Sequence, residues 1–375
     1  VFKAIHRLAD VQPAVAHKKE IRFQPQANGV TVGCYLFMDS ATFDSPEALE
    51  CRGIAFDQEG RICSRPLHKF FNLGEKAWLT ADRLLQRDDL VAVFEKLDGS
   101  MMATAWVDGA LHWRSKKSFQ SDVVKLTQDF LRQPGQEHLV AFATEVASQG
   151  MTAIFELTHP QARIVVAQDK PQLRLLHVRD NATGQYVLLD EQHRIHAMLR
   201  QHGVTLAPRF TGMSLPQVLA SLDAMAEQEG YVLQFANGDM VKLKCPWYLR
   251  LHRSITFLRE RDIAVAALTE VLDDIKGALA ESGVDMQPVL EVESRVKRRM
   301  VELTEEIEAT VAKSRHLDRK SFAMEHKSHP LFGLMMAHYL GQEVDLKDWF
   351  IKNRLRQEFS LRVLADGALA EAMEG

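Results

Sequence analysis

The hydrophobic period of this chain changes near Pro246, and that change limits the folds open to it. From about residue 20 to residue 245, apolar residues alternate or come in short runs with turn signals between them. Residues 91–94, 101–107 and 110–114 read as strands. Asp108-Gly109 between the last two reads as a hairpin turn, because both residue types tolerate positive φ. Strand-like runs return at 152–157, 163–167, 173–178 and 186–189, and Asn237-Gly238 marks a second hairpin between 231–235 and 240–244. Helical patterns interrupt them at 121–131, 137–148, 190–202 and 215–228, with Ser121 fitting as the first helix's cap. After Pro246 the apolar spacing becomes helical over 263–281, 286–314, 331–340 and 346–364. The expected fold class is therefore α+β. An antiparallel-sheet domain over 1–248, without regular βαβ alternation, precedes an all-helical domain over 249–375.

A length of 375 residues, long for one core, agrees with two domains. No run approaches the roughly 20 apolar residues of a membrane span, and the opening Val-Phe-Lys-Ala-Ile-His lacks a signal-peptide core. Cytoplasmic residence, a monomeric state and no membrane partner are expected. Cys34, Cys51, Cys63 and Cys245 lie far apart without CxxC spacing, which points to reduced thiols rather than zinc or disulfides. His193 and His196 have ligand-like spacing but no companions. A net charge of −4 means that any nucleic-acid surface is local.

Between two strand-like runs stands Lys96-Leu97-Asp98-Gly99-Ser100. A lysine amine that attacks a nucleotide α-phosphate forms a phosphoramidate, so it needs a site that lowers its pKa and fixes its aim. Glycine three residues on permits close backbone approach or a positive φ. K-x-D-G also makes an ordinary hairpin turn, so the surroundings decide.

Glu156 stands in an apolar strand 60 residues on, where it would bind ribose hydroxyls or a divalent ion; the bland alternative is a solvated edge-strand carboxylate. Glu229-Gly230 opens a strand, and Lys242 and Lys244 share one face of the next because strand side chains repeat every two residues. Two cations on one face suit a phosphate chain and help depress the pKa of a nucleophile. Upstream, Arg52 and Lys69 are candidates for nucleotide phosphates, and Phe70 or Phe71 for stacking on a base.

The strings ALECRGI, SRPLHKFFNL, KLDGS, RSK, IFEL, EGYV, KLK with Trp247-Tyr248, and AMEH followed by LFGLMM resemble the phage RNA ligase 1 family of covalent nucleotidyltransferases. The likeness runs from Tyr35 to Gly333. It implies an ATP-dependent ligase that joins 5′-phosphate and 3′-hydroxyl RNA ends, with nicked tRNA as a candidate substrate, in a bacterial host's cytoplasm if phage-encoded. By that resemblance Lys96 accepts AMP, and Tyr35, Arg52, Lys69, Phe71, Lys242 and Lys244 bind ATP. Lys116 serves sealing, Glu156 and Glu229 support catalysis, and Asp273 with Glu156 holds Mg²⁺ or Mn²⁺. Lys117 stands where the family pattern has glycine.

DNA-joining and capping relatives usually carry a β-rich OB domain after this point, so the helical pattern favours RNA ligation. A GTP-using capping enzyme, a DNA ligase and a non-catalytic RNA-end or tRNA-binding protein remain alternatives. For RNA grip, Arg114, Lys116 and Lys117 form one candidate patch, and Arg295, Lys297, Arg298 and Arg299 another that a solvated helix face explains equally well.

Overall fold

The computed structural model describes residues 2–38, 41–162, 169–187, 193–249, 259–273, 276 and 286–360. The expected strand at 163–167, half of that at 186–189, residues 190–192, 274, 275 and 277–281, and the end of the 346–364 helix lie outside the described residues. The chain divides into two compact units, residues 1–35 with 39–248, and residues 36–38 with 249–375.

Among the described residues the first unit has three sheets. Strands β1 (Ile21–Pro25), β2 (Thr31–Tyr35), β3 (Arg52–Phe56) and β4 (Ile62–Ser64) form an antiparallel meander. The others are β5 (Phe71–Asn72), β6 (Leu90–Lys96), β7 (Ser100–Val107), β8 (Ala110–Arg114), β9 (Met151–Thr158), β10 (Gln172–Asp180), β11 (Arg209–Phe210), β12 (Gly230–Phe235) and β13 (Met240–Lys244). They form a four-stranded sheet in the order β10-β9-β7-β8 and a five-stranded sheet in the order β11-β6-β12-β13-β5. Within both, pairing is antiparallel except between β13 and β5. Asp108 and Gly109 both take positive φ, so the β7–β8 turn is the one their residue types suit.

Side-chain alternation explains how β9 serves two layers. Ala153, Phe155 and Leu157 face a core shared with Val124, Phe142, Val146 and Ile195 from the helices Asp122–Leu131, Glu137–Ala147 and Arg194–His202. Ile154 faces the other way, into a smaller cluster with Leu67, Phe70, Tyr186 and Met240. Glu156 belongs to that second face, and β9 lies between β10 and β7, so this carboxylate is not on an edge strand.

Several helices are shorter than their patterns. The pattern at 215–228 yields Leu215–Leu222, since Glu227 adopts positive φ as the chain turns towards β12. That at 263–281 yields Glu260–Leu268 and, after a break, helix again at Leu272, Asp273 and Lys276 among the described residues. Val271 N–H donates to Ala266 and Glu270 takes φ 65°, a left-handed stop that polar spacing does not announce. The final pattern breaks at Arg354 into Leu346–Asn353 and Leu355–Glu358. Ser121 does stand at a helix start, but its hydroxyl bonds Ser115 rather than capping a backbone N–H.

In the second unit every regular element among the described residues is a helix. The 28-residue helix Met286–Lys313 carries a buried stripe of Val289, Val292, Val296, Met300, Leu303, Ile307 and Val311. These residues share a core with Ile263, Phe322, Met335 and Phe350, and Phe37 from the 36–38 segment packs against it.

The first unit also buries a cluster of charge. Glu50 accepts from Arg65 at 2.8 Å and from both terminal nitrogens of Arg179 at 2.8 and 2.7 Å, and neither guanidinium reaches solvent. Burial alone would raise the Glu50 pKa, but the two arginines outweigh it and hold the carboxyl at about 2. Replacing Glu50 by Gln strands two buried cations, with an expected cost of about 3–5 kcal/mol. The folded pKa lies below the ordinary 4.5, so this stabilisation is complete above that value and fades as pH falls towards 2. Urea unfolding of both proteins should show a large gap at about pH 7 that narrows at about pH 3. Equal stabilities at neutral pH contradict the assignment.

Candidate active site

Gly230, the first residue of β12, stands opposite Lys96 on β6 and Lys244 on β13. Glu229, one residue earlier, therefore enters between two lysines. Its oxygens lie 2.6 Å from Lys96 Nζ and 2.8 Å from Lys244 Nζ. Burial opposes ionisation of Glu229, but the two ammonium groups prevail and hold its carboxyl below the usual range. Gly230 has φ 144°, and a Cβ there would overlap the Leu243 carbonyl. Only glycine lets β12 begin at this point.

The K-x-D-G run is not a hairpin turn. It carries the chain from β6 in the five-stranded sheet to β7 in the four-stranded one. Gly99 has no left-handed backbone; it is needed because a Cβ would collide with the Leu157 carbonyl oxygen on β9. Asp98 is buried and accepts a hydrogen bond from Tyr248 Oη at 2.9 Å, fixing the loop behind Lys96.

A pocket opens between the two sheets. Lys96, Lys242, Arg52 and Glu156 supply its charged lining, while Leu67, Phe70, Leu176 and Val232 supply apolar surface. Phe70, not Phe71, lines this pocket, and Lys242 Nζ lies 5.0 Å from its ring centroid. Lys242 and Lys244 share a face, as strand periodicity requires, but divide their tasks: one lines the pocket and the other is bound to Glu229. His177 also lines it, kept neutral by burial with a pKa of about 3.

Tyr35, Lys69, Phe71 and Lys116 gather in a second arrangement. The Lys116 ammonium lies 4.7 Å from the Tyr35 ring centroid and 3.4 Å from its hydroxyl. Edge-to-face contacts then run from Tyr35 to Phe43 at 5.1 Å, Phe43 to Phe71 at 6.3 Å and Phe71 to Trp78 at 6.1 Å. Lys69 lies over both Phe43 and Phe71, and Lys76 over Phe71.

Arg114 is not part of a surface patch. It is completely buried, donating to the carbonyls of Gly53 and Lys116 and to the Ser64 hydroxyl, and burial lowers its pKa to about 10. Gly53 takes φ 104°, and a Cβ there would strike the Lys116 carbonyl, so the arginine clasps β3 to the Lys116 loop at a point where only glycine lets them meet. In the helical unit, Asp273 is paired with Lys276 at 3.0 Å, and Lys276 also reaches Glu293. Three of the four cations of the candidate patch on the long helix are ion-paired: Arg295 with Glu260, Lys297 with Glu293, and Arg299 with Glu302 and Glu358. That is the geometry of a salt-bridged helix face. Among the described residues no group of three or more His, Cys, Asp or Glu side chains is placed to hold a metal, and all four cysteines are free and buried.

Sequence reasoning missed the apolar lining, since Leu67, Leu176 and Val232 look like any strand core. It also gave no task to Tyr248, whose only signal was its place just after the lysine pair.

A half-buried strand-borne lysine beside a strand-opening Glu-Gly, facing a two-sheet pocket, fits a protein of the nucleotidyltransferase class. A sequence model of the RNA ligase family matches residues 50–248. RNA ligase 1 of bacteriophage TS2126 is 31% identical over 284 residues, covering 73% of this chain and 68% of that protein. An RNA ligase candidate of Thermovibrio ammonificans is 34% identical over 230 residues, covering 60% of this chain and 58% of its own length. An archaeal ATP-dependent RNA ligase structure aligns with a TM-score of 0.47 at 14% identity, covering 81% of this chain and 79% of that one. The chain belongs to the phage RNA ligase 1 family.

Burial pushes the Glu156 carboxyl up to about 8, with Lys96 opposing and Glu229 reinforcing the shift. The folded state thus holds this proton more tightly than the unfolded one. Its stabilisation is complete below the ordinary 4.5 and is lost as pH rises through about 8. Between about pH 5 and about pH 9, wild type should lose stability relative to Glu156→Gln, read as a shift in urea midpoint. A difference that stays constant across that range contradicts the shift.

Proposed function

We propose that the chain is an ATP-dependent RNA ligase that joins 5′-phosphate and 3′-hydroxyl ends through AMP carried on Lys96. The observation that carries this reading is the Glu229 carboxylate held between Lys96 and Lys244 at the edge of a pocket lined by Arg52 and Lys242. The apolar lining suits a nucleobase and the cations suit a phosphate chain. The second unit, helical in every regular element among the described residues, supports RNA ligation over the OB-bearing DNA ligases and capping enzymes.

In the first step the neutral Lys96 amine forms a bond to the α-phosphorus of ATP as the bond to pyrophosphate breaks. Before that, Lys96 must give up a proton, and Glu229 is the carboxylate in direct contact with it. Lys244 shares the same carboxylate, so Glu229 is oriented from both sides and aims the nucleophile. AMP then passes to an RNA 5′-phosphate, releasing Lys96, and a 3′-hydroxyl attacks that phosphate and expels AMP. Arg52 and Lys242 are placed to offset charge on the transferring phosphate.

The donor set fits a divalent ion of the Mg²⁺ or Mn²⁺ kind that keeps its waters and takes oxygens from substrate phosphates, which needs one or two carboxylates rather than a protein cage. Glu156 lines the pocket and is the side chain that would hold it, giving up the proton that burial otherwise keeps on it. When bound, such an ion would neutralise phosphate charge. Asp273, already paired with Lys276, is the weaker candidate. Nicked tRNA is the natural substrate that the family likeness suggests, and a host cytoplasm the setting. No helix among the described residues is long and apolar enough to cross a membrane.

Incubation with ATP and Mg²⁺ should add the mass of AMP to the intact protein, and peptide mapping should place it on Lys96. Lys96→Ala should abolish the adduct, and so should Lys96→Arg, since a guanidinium stays protonated near neutral pH. A protein that never gains AMP under varied divalent ions, or an arginine variant with normal yield, defeats the proposal. Lys116→Ala should seal RNA poorly while binding it well; normal sealing removes Lys116 from the site. GTP and DNA ends, tried in competition, should be poorer substrates.

A further inference from the structure

We propose that Trp78 is a stacking platform for a base of the RNA strand, at the outer end of the aromatic–lysine row that begins at Lys116. The inference rests on the RNA ligase reading and adds where the strand lies. Along the row the inner rings are buried: Tyr35, Phe43 and Phe71 are each no more than 7% exposed. Trp78 is 55% exposed, with its indole edge-on to Phe71 at an interplanar angle of 90°. A ring held edge-on by its neighbour keeps a face open for a base.

The loop that presents Trp78 is fixed rather than loose. Gly74 N–H donates to Leu79 O and Leu79 N–H to Lys76 O, both at 2.8 Å, closing the loop on itself. The Glu75 carboxylate accepts from the Asn72 backbone N–H at 2.7 Å and from its side-chain amide at 2.8 Å, and Leu79 is buried beneath. An indole held in place loses little further freedom when it binds. The loop also grows from the strand beside the pocket: Asn72 pairs with Lys242, and Leu73 N–H donates to Lys242 O at 2.9 Å.

The chemistry of the row selects a single-stranded nucleic acid over an apolar partner. Such strands are gripped by aromatic faces interleaved with cations, the rings taking bases and the cations taking phosphates. Lys76 lies 4.8 Å from the Phe71 ring centroid, close enough to accompany a strand stacked at Trp78, whereas Lys69 is buried behind the rings and paired with Glu75 at 3.5 Å. A protein docking site would be a broad apolar patch. Here one indole stands beside a lysine.

The test uses the full chain without ATP or metal, so that nothing reacts. A 5′-phosphorylated single-stranded RNA of about ten nucleotides, labelled at its 3′ end, is bound to wild type, Trp78→Ala and Trp78→Phe, and Kd is read by fluorescence anisotropy. Trp78→Ala should weaken binding about 10-fold and Trp78→Phe by no more than about threefold, while AMP uptake from ATP stays at the wild-type level in both. Oligonucleotides with one base removed at successive positions locate the contact. At one position the loss seen with wild type should vanish in Trp78→Ala. Wild-type affinity in Trp78→Ala overturns the platform while leaving the ligase reading intact. A Trp78→Ala protein impaired in AMP uptake assigns the residue to ATP instead and also overturns it. A wild type that takes up no AMP and binds no RNA defeats both readings together.

Discussion

One carboxylate organises the site. Glu229 lies within 2.8 Å of two lysines that come from strands on either side of its own. A buried glutamate between two ammonium groups is stable only if all three are placed together, since removing either cation leaves charge in a poor solvent. The backbone supplies that placement. Gly230 aligns Lys96 and Lys244 in register, and the close approach to Leu243 that this demands is open to glycine alone. The Glu-Gly pair is thus one device: the glycine sets the strand and the glutamate uses the position.

Charge buried away from the pocket has a related task. Glu50 with Arg65 and Arg179, and Arg114 with its carbonyls, touch the same two upstream strings that contain Arg52 and Lys69. Lys69 N–H donates to Leu49 O, one residue from Glu50, so the two strings are joined by backbone as well as by ion pairs. Arg52 follows Glu50 by two residues and lines the pocket. The aim of a flexible arginine is set largely by how firmly its strand is held.

Alternating runs and hairpin dipeptides were enough to read strands β6 to β10, β12 and β13, because a two-residue period with Asp-Gly or Asn-Gly between runs has few other physical meanings. The ordered carboxylates and lysines were legible for a similar reason: each sits in or next to a strand where charge is otherwise costly. Other features were not. The stop at Glu270 depends on a left-handed residue that no side-chain pattern marks. The choice between Phe70 and Phe71 depends on which side of the chain entering β5 meets the pocket, and two adjacent phenylalanines give no alternation to read.

Arg114 shows the deeper limit. In the string Arg-Ser-Lys-Lys its charge looks like surface, because arginine is almost never buried without a partner. Its acceptors are backbone carbonyls of Gly53 and Lys116, 61 and 2 residues away, with the Ser64 hydroxyl. Carbonyls occur at every residue and leave no trace in a sequence, whereas a carboxylate partner would. Gly53 is the one legible sign, and its meaning appears only once the Lys116 carbonyl is found where a Cβ would be. A cation solvated by backbone also fixes that backbone, so residues that look like an RNA-gripping patch divide into two half-buried lysines and the buried arginine that holds their loop.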